Sequence, residues 1–231
     1  MGDSKSNEAL LQIIRSGATT DEIIQYVNDN PSRAKRTRRN MLDIVSLIDQ
    51  PLVRVPAQPW TDVVQDDEAV SHLVSAYFAW NHSTYPILDR DTFTREMKSK
   101  NLSSQFCSEF LVNAILCIGC TYTDHPVAFA EHSDNSTRGL HFFKEAMRLW
   151  ECSEGEVTLT NLQGLVAMLC CTFALGKDRI GLLYTPQLIA LRRDLIMKVR
   201  KNRKLGSRDY ANQEFKRAYA LAVWGSFNIE V

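Results

Sequence analysis

From Asp66 onward, hydrophobic residues recur at intervals of three and four, which is the spacing of an amphipathic α-helix. The first apolar stripe consists of Val70, Leu73, Val74, Tyr77, Phe78 and Trp80. Asp66 or Asp67 is placed to cap this helix, and Pro86 prevents it from continuing. Further helices are predicted to begin near Asp91, Ser103 or Ser104, Ser136 or Thr137, Thr158 or Thr160, Asp178 and Arg208. Strand-like alternation with turn signals is missing from this stretch, so we predict an all-α fold, an antiparallel multi-helix domain.

The first 65 residues follow a different pattern. Residues 1–31 carry two short apolar helical stretches separated by Gly17, and we predict a small helical hairpin. Residues 32–65 combine a basic run with Pro51, Pro56 and Pro59, a composition that predicts a linker. The main domain is therefore predicted to span residues 66–231.

Composition fits a single main domain without a strong overall charge. The chain has 231 residues, 45% of them hydrophobic, which is enough for one sizeable core. Basic and acidic residues number 27 each, so the net charge argues neither for nor against a polyanionic partner. The most apolar runs, 110–120 and 165–175, are too short to cross a bilayer, and no membrane contact is predicted.

Two local basic runs remain to be explained. The first lies in the predicted linker and consists of Arg33, Lys35, Arg36, Arg38 and Arg39. Closely spaced exposed positive charge suits importin recognition or phosphate contact, and a solvated tether explains it equally well. The second run lies at the C-terminal end of a predicted helix, where the helix dipole favours cations. It consists of Arg192, Arg193, Lys198, Arg200, Lys201, Arg203 and Lys204. No DNA-reading motif accompanies either run, so sequence-specific DNA binding is not predicted.

The six cysteines do not form a metal-binding pattern. Cys117 and Cys120 form the only Cys-x-x-Cys pair, and they lie inside an apolar helical stretch. A free cysteine in such a place behaves as a small hydrophobic residue. We therefore assign no metal, cofactor-binding or catalytic residue, and we predict core packing for this pair.

A polar stretch between two predicted helices holds the best candidates for chemistry. His125, His132 and His141 lie close together in sequence, near Tyr122 and several carboxylates. Their spacing matches no ligand motif, and a polar loop explains the same residues. An enzymatic or small-molecule-binding helical protein stays open as an alternative that depends on this stretch.

Three stretches resemble the fungal-specific transcription factor domain, the middle homology region of the fungal binuclear zinc-cluster transcription factors. Residues 73–93 run from an amphipathic helix into Tyr-Pro-Ile-Leu-Asp, residues 176–184 read Gly-Lys-Asp-Arg-Ile-Gly-Leu-Leu-Tyr, and residues 222–230 close with Ala-Val-Trp-Gly-Ser-Phe-Asn-Ile-Glu. The residues that match these motifs are Trp80, Tyr85, Pro86, Asp178, Arg179, Gly181, Tyr184 and Trp224. The resemblance assigns them structural roles, with Asp178 or Arg179 pairing inside the helical stack.

The resemblance implies a nuclear transcription regulator that is not an enzyme and acts through its helical domain and protein contacts. The six-cysteine zinc cluster of that family is not present in the sequence, so zinc is expected only if such a cluster lies upstream, and DNA contact only indirectly or through that missing part. The chain also ends before the usual domain does, which predicts uncovered apolar surface, self-association or a protein partner. The alternative is a wrongly delimited or non-functional fragment of a longer zinc-cluster activator. We further expect Arg179→Ala to destabilise the fold.

Overall fold

Seven α-helices account for most of the part of the chain described by the computed structural model, which is residues 51–131, 134–207, 210 and 212–229. In chain order they are α1 (Asp67–Ala76), α2 (Arg90–Ser99), α3 (Glu109–Cys120), α4 (Leu140–Cys152), α5 (Leu159–Ala174), α6 (Asp178–Lys204) and α7 (Gln213–Asn228). A π-helix, Tyr77–Asn81, continues α1. Within the described residues, extended pairing is limited to one isolated bridge between Phe129 and Arg138. The predicted all-α class is confirmed.

Helices α3 and α5 form the centre of the fold. Residues 110–120 of α3 and 159–169 of α5 are all buried. Neither stretch contains a charged residue, and a helix that is apolar all round is stable only when other elements surround it. Accordingly α3 packs against α1, α4 and α5, while α5 also packs against α6 and α7. The absence of charged residues from both stretches agrees with their central position in the structure.

Two glycines allow these helices to approach their neighbours closely. A Cβ atom on Gly119 would lie 2.3 Å from the backbone oxygen of Leu73, which brings α3 against α1. A Cβ atom on Gly164 would lie 2.4 Å from Cε1 of Phe110, at the contact of α5 with α3. Both distances are far below van der Waals contact, so a larger residue would require a helix to shift at Gly119 and the Phe110 ring to move at Gly164.

Residues 51–57 run beside α1 as an extended segment. Val53, Val55 and Ala57 are buried at alternate positions, as expected for extended backbone with one face on a core. The backbone amides of Val53 and Val55 donate to Ser75 Oγ at 3.0 Å and Ser71 Oγ at 2.9 Å. Serine hydroxyls on α1 thus take the place of a neighbouring strand in satisfying this backbone.

Trp60 anchors the same segment to the rest of the core. Its side chain is fully buried, and its indole Nε1 donates to the Met97 carbonyl of α2 at 2.8 Å. Next to it, Thr61 Oγ1 donates to Asn113 Oδ1 of α3 at 2.8 Å. The predicted linker is therefore corrected over residues 51–65, which are part of the folded unit that begins at Pro51. The predicted hairpin and the rest of the linker lie outside the described residues.

Several helices begin at residues other than those predicted. The caps at Asp66 and Thr158 are confirmed, because both side chains accept a backbone amide of the first turn. In contrast, α2, α3, α4 and α7 begin at Arg90, Glu109, Leu140 and Gln213. Polar loops offer several capping residues, and tertiary contacts decide among them. Ser104, for example, donates to Glu96 Oε2 at 2.9 Å, and Ser108 caps α3 instead.

Candidate interaction surface

The outward face of α6 carries large hydrophobic side chains. The buried face of this helix follows a regular helical period through Gly181, Tyr184, Leu188, Leu191, Leu195 and Val199. On the opposite face, Leu182 and Leu183 are 70% and 69% exposed, and Ile189 and Met197 are exposed as well. We call these four residues the α6 apolar face. Several large exposed hydrophobic side chains on one side of a helix are typical of a protein interaction site.

Helix α7 adds two exposed aromatic side chains. Trp224 is 69% exposed, and the Phe227 ring lies 6.2 Å from it between ring centres. The guanidinium carbon of the buried Arg192 on α6 lies 3.7 Å from the centre of the Phe227 ring. This cation–π contact helps to hold α6 and α7 together, so the aromatic end of α7 is fixed relative to α6.

Positive charge follows the α6 apolar face toward the C-terminal end of the helix. Lys198 donates to the Val157 carbonyl at 2.7 Å, and Arg203 donates to the Tyr210 carbonyl at 3.3 Å. In contrast, Arg200, Lys201 and Lys204 are exposed, and no ion pair joins them to another described residue. The outward side of α6 therefore combines apolar contact area with positive charge. This combination favours partners that are both apolar and acidic.

The π-helix changes the position predicted for Trp80. His82 donates its backbone amide to Tyr77 O at 3.0 Å, a bond across five residues that widens the turn. Tyr77 and Phe78 are buried as predicted, but Trp80 is 63% exposed and stacks on Tyr122 with ring centres 6.5 Å apart. The predicted stripe is wrong for Trp80, because the wider turn rotates this residue away from the core.

The other motif residues fall into two groups. Gly181 and Tyr184 are buried, and a Cβ atom on Gly181 would lie 2.7 Å from Thr172 Oγ1, so glycine allows α6 to approach α5. Tyr85, Pro86 and Trp224 are exposed. Asp178 and Arg179 are also exposed, and the pairing predicted for them is not seen among the described residues. Because the Arg179 side chain lies in solvent, the structure offers no reason for Arg179→Ala to destabilise the fold.

The histidine stretch is a structural turn in the described residues. His125 Nδ1 accepts the Val127 amide at 3.3 Å, and His141 Nε2 lies 3.0 Å from the Val127 carbonyl, to which it donates. The two rings thus satisfy both backbone groups of one loop residue. His132 lies outside the described residues. Where the structure describes the chain, it brings together no cluster of three or more histidine, cysteine, aspartate or glutamate side chains suited to hold a metal ion.

His141 is expected to make folding stability depend on pH. Burial lowers the pKa of its imidazole below the ordinary 6.5, although the bond to the Val127 carbonyl opposes this. Above pH 6.5 the His141 imidazole is neutral in both the folded and the unfolded state, so its protonation takes nothing from the stability of the fold. As the pH falls below 6.5, the unfolded state takes up the proton first, and stability is lost. Urea unfolding from about pH 8 to about pH 5 should show a smaller loss for His141→Gln than for the wild type. His125→Gln, an exposed control, should keep the wild-type loss, and equal slopes for all three proteins would contradict the prediction.

Most of the cysteines pack in the core, as predicted. Cys107, Cys117, Cys120 and Cys171 are fully buried, whereas Cys170 is half-buried and Cys152 exposed. Burial raises the pKa of the Cys107, Cys120 and Cys171 thiols, so they stay protonated and unreactive at neutral pH. The confirmed burial of Cys117 and Cys120 assigns this pair a packing role.

Some features lie beyond the described residues or have no sequence signal. The basic cluster Arg33 to Arg39 lies outside the described part of the chain. Among the described helices, none combines the length and the apolar character needed to cross a bilayer. The burial of Asn81 and of Arg192 was not predicted from the sequence, because each occupies an ordinary position in an amphipathic helical pattern.

Sequence comparison shows which known proteins this chain is similar to. The model of the family described as "Fungal specific transcription factor domain" matches residues 74–231. The chain is 32% identical to the notoamide biosynthesis transcriptional activator notL' of Aspergillus versicolor, over 99% of this chain and 40% of that protein. The nitrogen assimilation transcription factors nirA of Emericella nidulans and nit-4 of Neurospora crassa are 31% and 32% identical, over 73% and 74% of this chain.

The match covers part of each relative. The chain spans 40% of the length of notL', 18% of nirA and 16% of nit-4. No solved structure shows a significant match to the chain. The family match covers all seven helices except the first seven residues of α1, and it includes the α6 apolar face and the aromatic end of α7. The chain therefore belongs to the fungal specific transcription factor domain family.

Proposed function

We propose that this chain is the helical regulatory domain of a fungal transcription regulator and that it acts through protein contacts. The family match over residues 74–231 supports a role in transcription, and the similar proteins bear the names of transcription factors. The family is one of transcription factors and not of enzymes. DNA would then be reached indirectly or through a zinc cluster on an attached segment.

The α6 apolar face is the surface that we propose for these contacts. Four large exposed hydrophobic side chains lie on one helix, and uncompensated basic side chains follow them. The partner that fits is an amphipathic helical segment whose contact face carries apolar residues at one end, against the α6 apolar face, and acidic residues at the other, against the basic end of α6. Apolar contact would supply affinity, and the charges would speed association and align the two helices.

A tethered-reporter experiment tests the transcriptional role. The full chain is fused to a heterologous DNA-binding domain and compared with that domain alone in a fungal reporter strain. We expect the fused chain to change reporter transcription several-fold. The combined variant Leu182→Ser, Leu183→Ser, Ile189→Ser should abolish this change, because it removes the apolar contact area. Reporter output equal to that of the DNA-binding domain alone would reject the proposal.

The same variant serves to test the contact directly. A synthetic amphipathic acidic peptide should bind the wild-type chain, and added salt should weaken the binding because charge contributes to it. The triple variant should lose binding yet unfold at nearly the wild-type urea concentration, since all three side chains are exposed. Leu102→Ser is the matched control, because Leu102 is an exposed leucine in the loop between α2 and α3, and this variant should bind the peptide as the wild type does.

Nuclear location is a further part of the proposal. The basic cluster Arg33, Lys35, Arg36, Arg38 and Arg39 has the closely spaced charge that importins recognise. A fluorescent fusion of the full chain should accumulate in nuclei, and replacing the five residues by glutamine should abolish accumulation. The control is the double variant Lys201→Gln, Lys204→Gln, which removes two exposed basic residues of α6 and should accumulate in nuclei like the wild type. Undiminished nuclear signal in the five-residue variant would assign the cluster to a solvated tether.

A further inference from the structure

A cavity of about 320 Å³ lies where three helices end. Helix α3 ends at Cys120, α5 at Ala174 and α7 at Asn228, and residues at or next to each of these ends line the cavity. The C-terminal end of a helix carries about half a negative charge because its last carbonyl groups have no partner within the helix. Arg138 donates to the Cys120 carbonyl at 3.1 Å but does not line the cavity. Because the Arg138 guanidinium already occupies the end of α3, the C-terminal ends of α5 and α7 are the ones that favour positive charge in the cavity.

No side chain that lines the cavity is charged, and three of them are aromatic. Tyr85, Tyr122 and Phe173 contribute rings, and Trp80 stacks on Tyr122 with an angle of 17° between the ring planes. The face of an aromatic ring carries partial negative charge and attracts cations. The rings and the helix ends therefore favour the same kind of ligand.

Asn81 supplies an unused polar group in the wall of the cavity. This residue closes the π-helix, is only 6% exposed and lines the cavity. Its Oδ1 has no hydrogen-bond partner among the described residues, and its Nδ2 lies 3.5 Å from Tyr122 Oη. A contact of 3.5 Å is at the outer limit for a hydrogen bond. The Asn81 side chain is therefore weakly held through its Nδ2, and a small shift of the amide would let Oδ1 accept from a ligand in the cavity.

The π-helix beside the cavity carries an energetic cost that a ligand would reduce. Single π-turns inside α-helices are rare and are found mostly at functional sites. This one leaves two buried polar atoms without partners among the described residues, Tyr77 Oη at its start and Asn81 Oδ1 at its end. A buried polar atom without a partner destabilises the fold, and a ligand with N–H groups would recover part of that loss at Asn81.

We propose that this cavity binds a small organic ammonium ion, that is, a protonated amine with an apolar body. The ammonium group would lie among the aromatic rings and the helix ends and donate to Asn81, and the apolar body would pack against Ile118 and Phe173. A volume of about 320 Å³ is at the small end of the range for ligand sites, which fits a small amine. The site lies apart from the α6 apolar face, so it does not depend on the protein contact proposed above.

Three probes that differ mainly in charge test this inference. They are 2-phenylethylammonium, neutral 2-phenylethanol and anionic 3-phenylpropionate, each titrated into the purified full chain by calorimetry and by ligand-observed NMR. We expect saturable binding of the cation, at least about tenfold weaker binding of the alcohol, and no measurable binding of the anion. Equal affinity for all three probes, tighter binding of the anion, or no binding of the cation would each overturn the proposal.

Substitutions in the cavity locate the binding site. Tyr122→Leu should weaken cation binding about fivefold, because it removes one aromatic face from a side chain that is already partly exposed. Asn81→Asp should tighten binding of the cation and leave the alcohol unaffected or weaker. Trp224→Leu, which removes an exposed aromatic ring that does not line the cavity, is the matched control and should bind as the wild type does.

The variants also separate a local effect from a failure to fold. Circular dichroism and urea unfolding of each variant establish that the helices are intact before binding is measured. If Asn81→Asp is unstable, Tyr122→Leu and Trp224→Leu still decide the question, because both positions are exposed. Binding that is unchanged by Tyr122→Leu, or that is lost in Trp224→Leu, would place the amine elsewhere and overturn the proposal.

Discussion

Replacing Trp60 by alanine is expected to lower the free energy of unfolding by about 3–5 kcal/mol. The indole is fully buried and donates to the Met97 carbonyl at 2.8 Å, so the substitution leaves a large cavity and removes a buried hydrogen bond. Urea unfolding followed by far-ultraviolet circular dichroism measures the change. Much of the total stability of a domain of this size would be lost through one residue.

Two further substitutions serve as controls for Trp60→Ala. Trp60→Phe keeps most of the apolar volume and loses the indole N–H, so a cost of about 1–2 kcal/mol is expected. Leu52→Ala lies in the same segment but is 66% exposed, and it should change stability by less than about 0.5 kcal/mol. If Trp60→Ala were as mild as Leu52→Ala, residues 51–65 would be a linker after all.

Gly119→Ala is expected to destabilise the fold by about 3 kcal/mol. Helix propensity alone predicts the opposite, since alanine is favoured over glycine inside a helix by about 1 kcal/mol. The added Cβ would lie 2.3 Å from the Leu73 backbone oxygen, and a backbone atom cannot move aside as a side chain can. Either α1 or α3 must shift, and both are packed on other core elements. Thermal and urea unfolding provide the measurement.

The matched control for Gly119→Ala is a glycine without neighbours. Gly206 has a φ of +76°, and a Cβ atom added there would meet nothing within 4 Å, so Gly206→Ala should cost only the conformational penalty of about 1 kcal/mol. Leu73→Ala combined with Gly119→Ala should give no rescue, because the clash is with backbone and not with the leucine side chain. A neutral or stabilising Gly119→Ala would show that α1 and α3 are not in the contact described.

Sequence patterns predict much of the fold because burial imposes a regular period on a helix. The largely apolar stretches of α3 and α5 predict helices, and the structure confirms their helical state. The prolines of residues 51–65 are typical of loops and predict a linker, which is wrong for this segment. Its burial depends on Ser71 and Ser75, which accept its amides from a helix that lies later in the chain. No local pattern contains that information.

The candidate sites are less predictable than the helices. The exposed hydrophobic residues Leu182, Leu183 and Ile189 are indistinguishable in sequence from core residues, since only packing decides which face of α6 is covered. The apolar stripe predicts a buried Trp80, and the π-helix places it in solvent against Tyr122. The cavity at the ends of α3, α5 and α7 joins residues that are far apart in the chain, such as Asn81 and Asn228.

Local periodicity and motif spacing carry the helical class and the family resemblance, so both properties could be predicted from the chain alone. Tertiary structure decided where the folded unit begins, which residues cap the helices and which apolar side chains remain in solvent. It also decided that three helix ends meet around Asn81. These properties depend on contacts between residues far apart in the chain, and such contacts form only when the helices pack together.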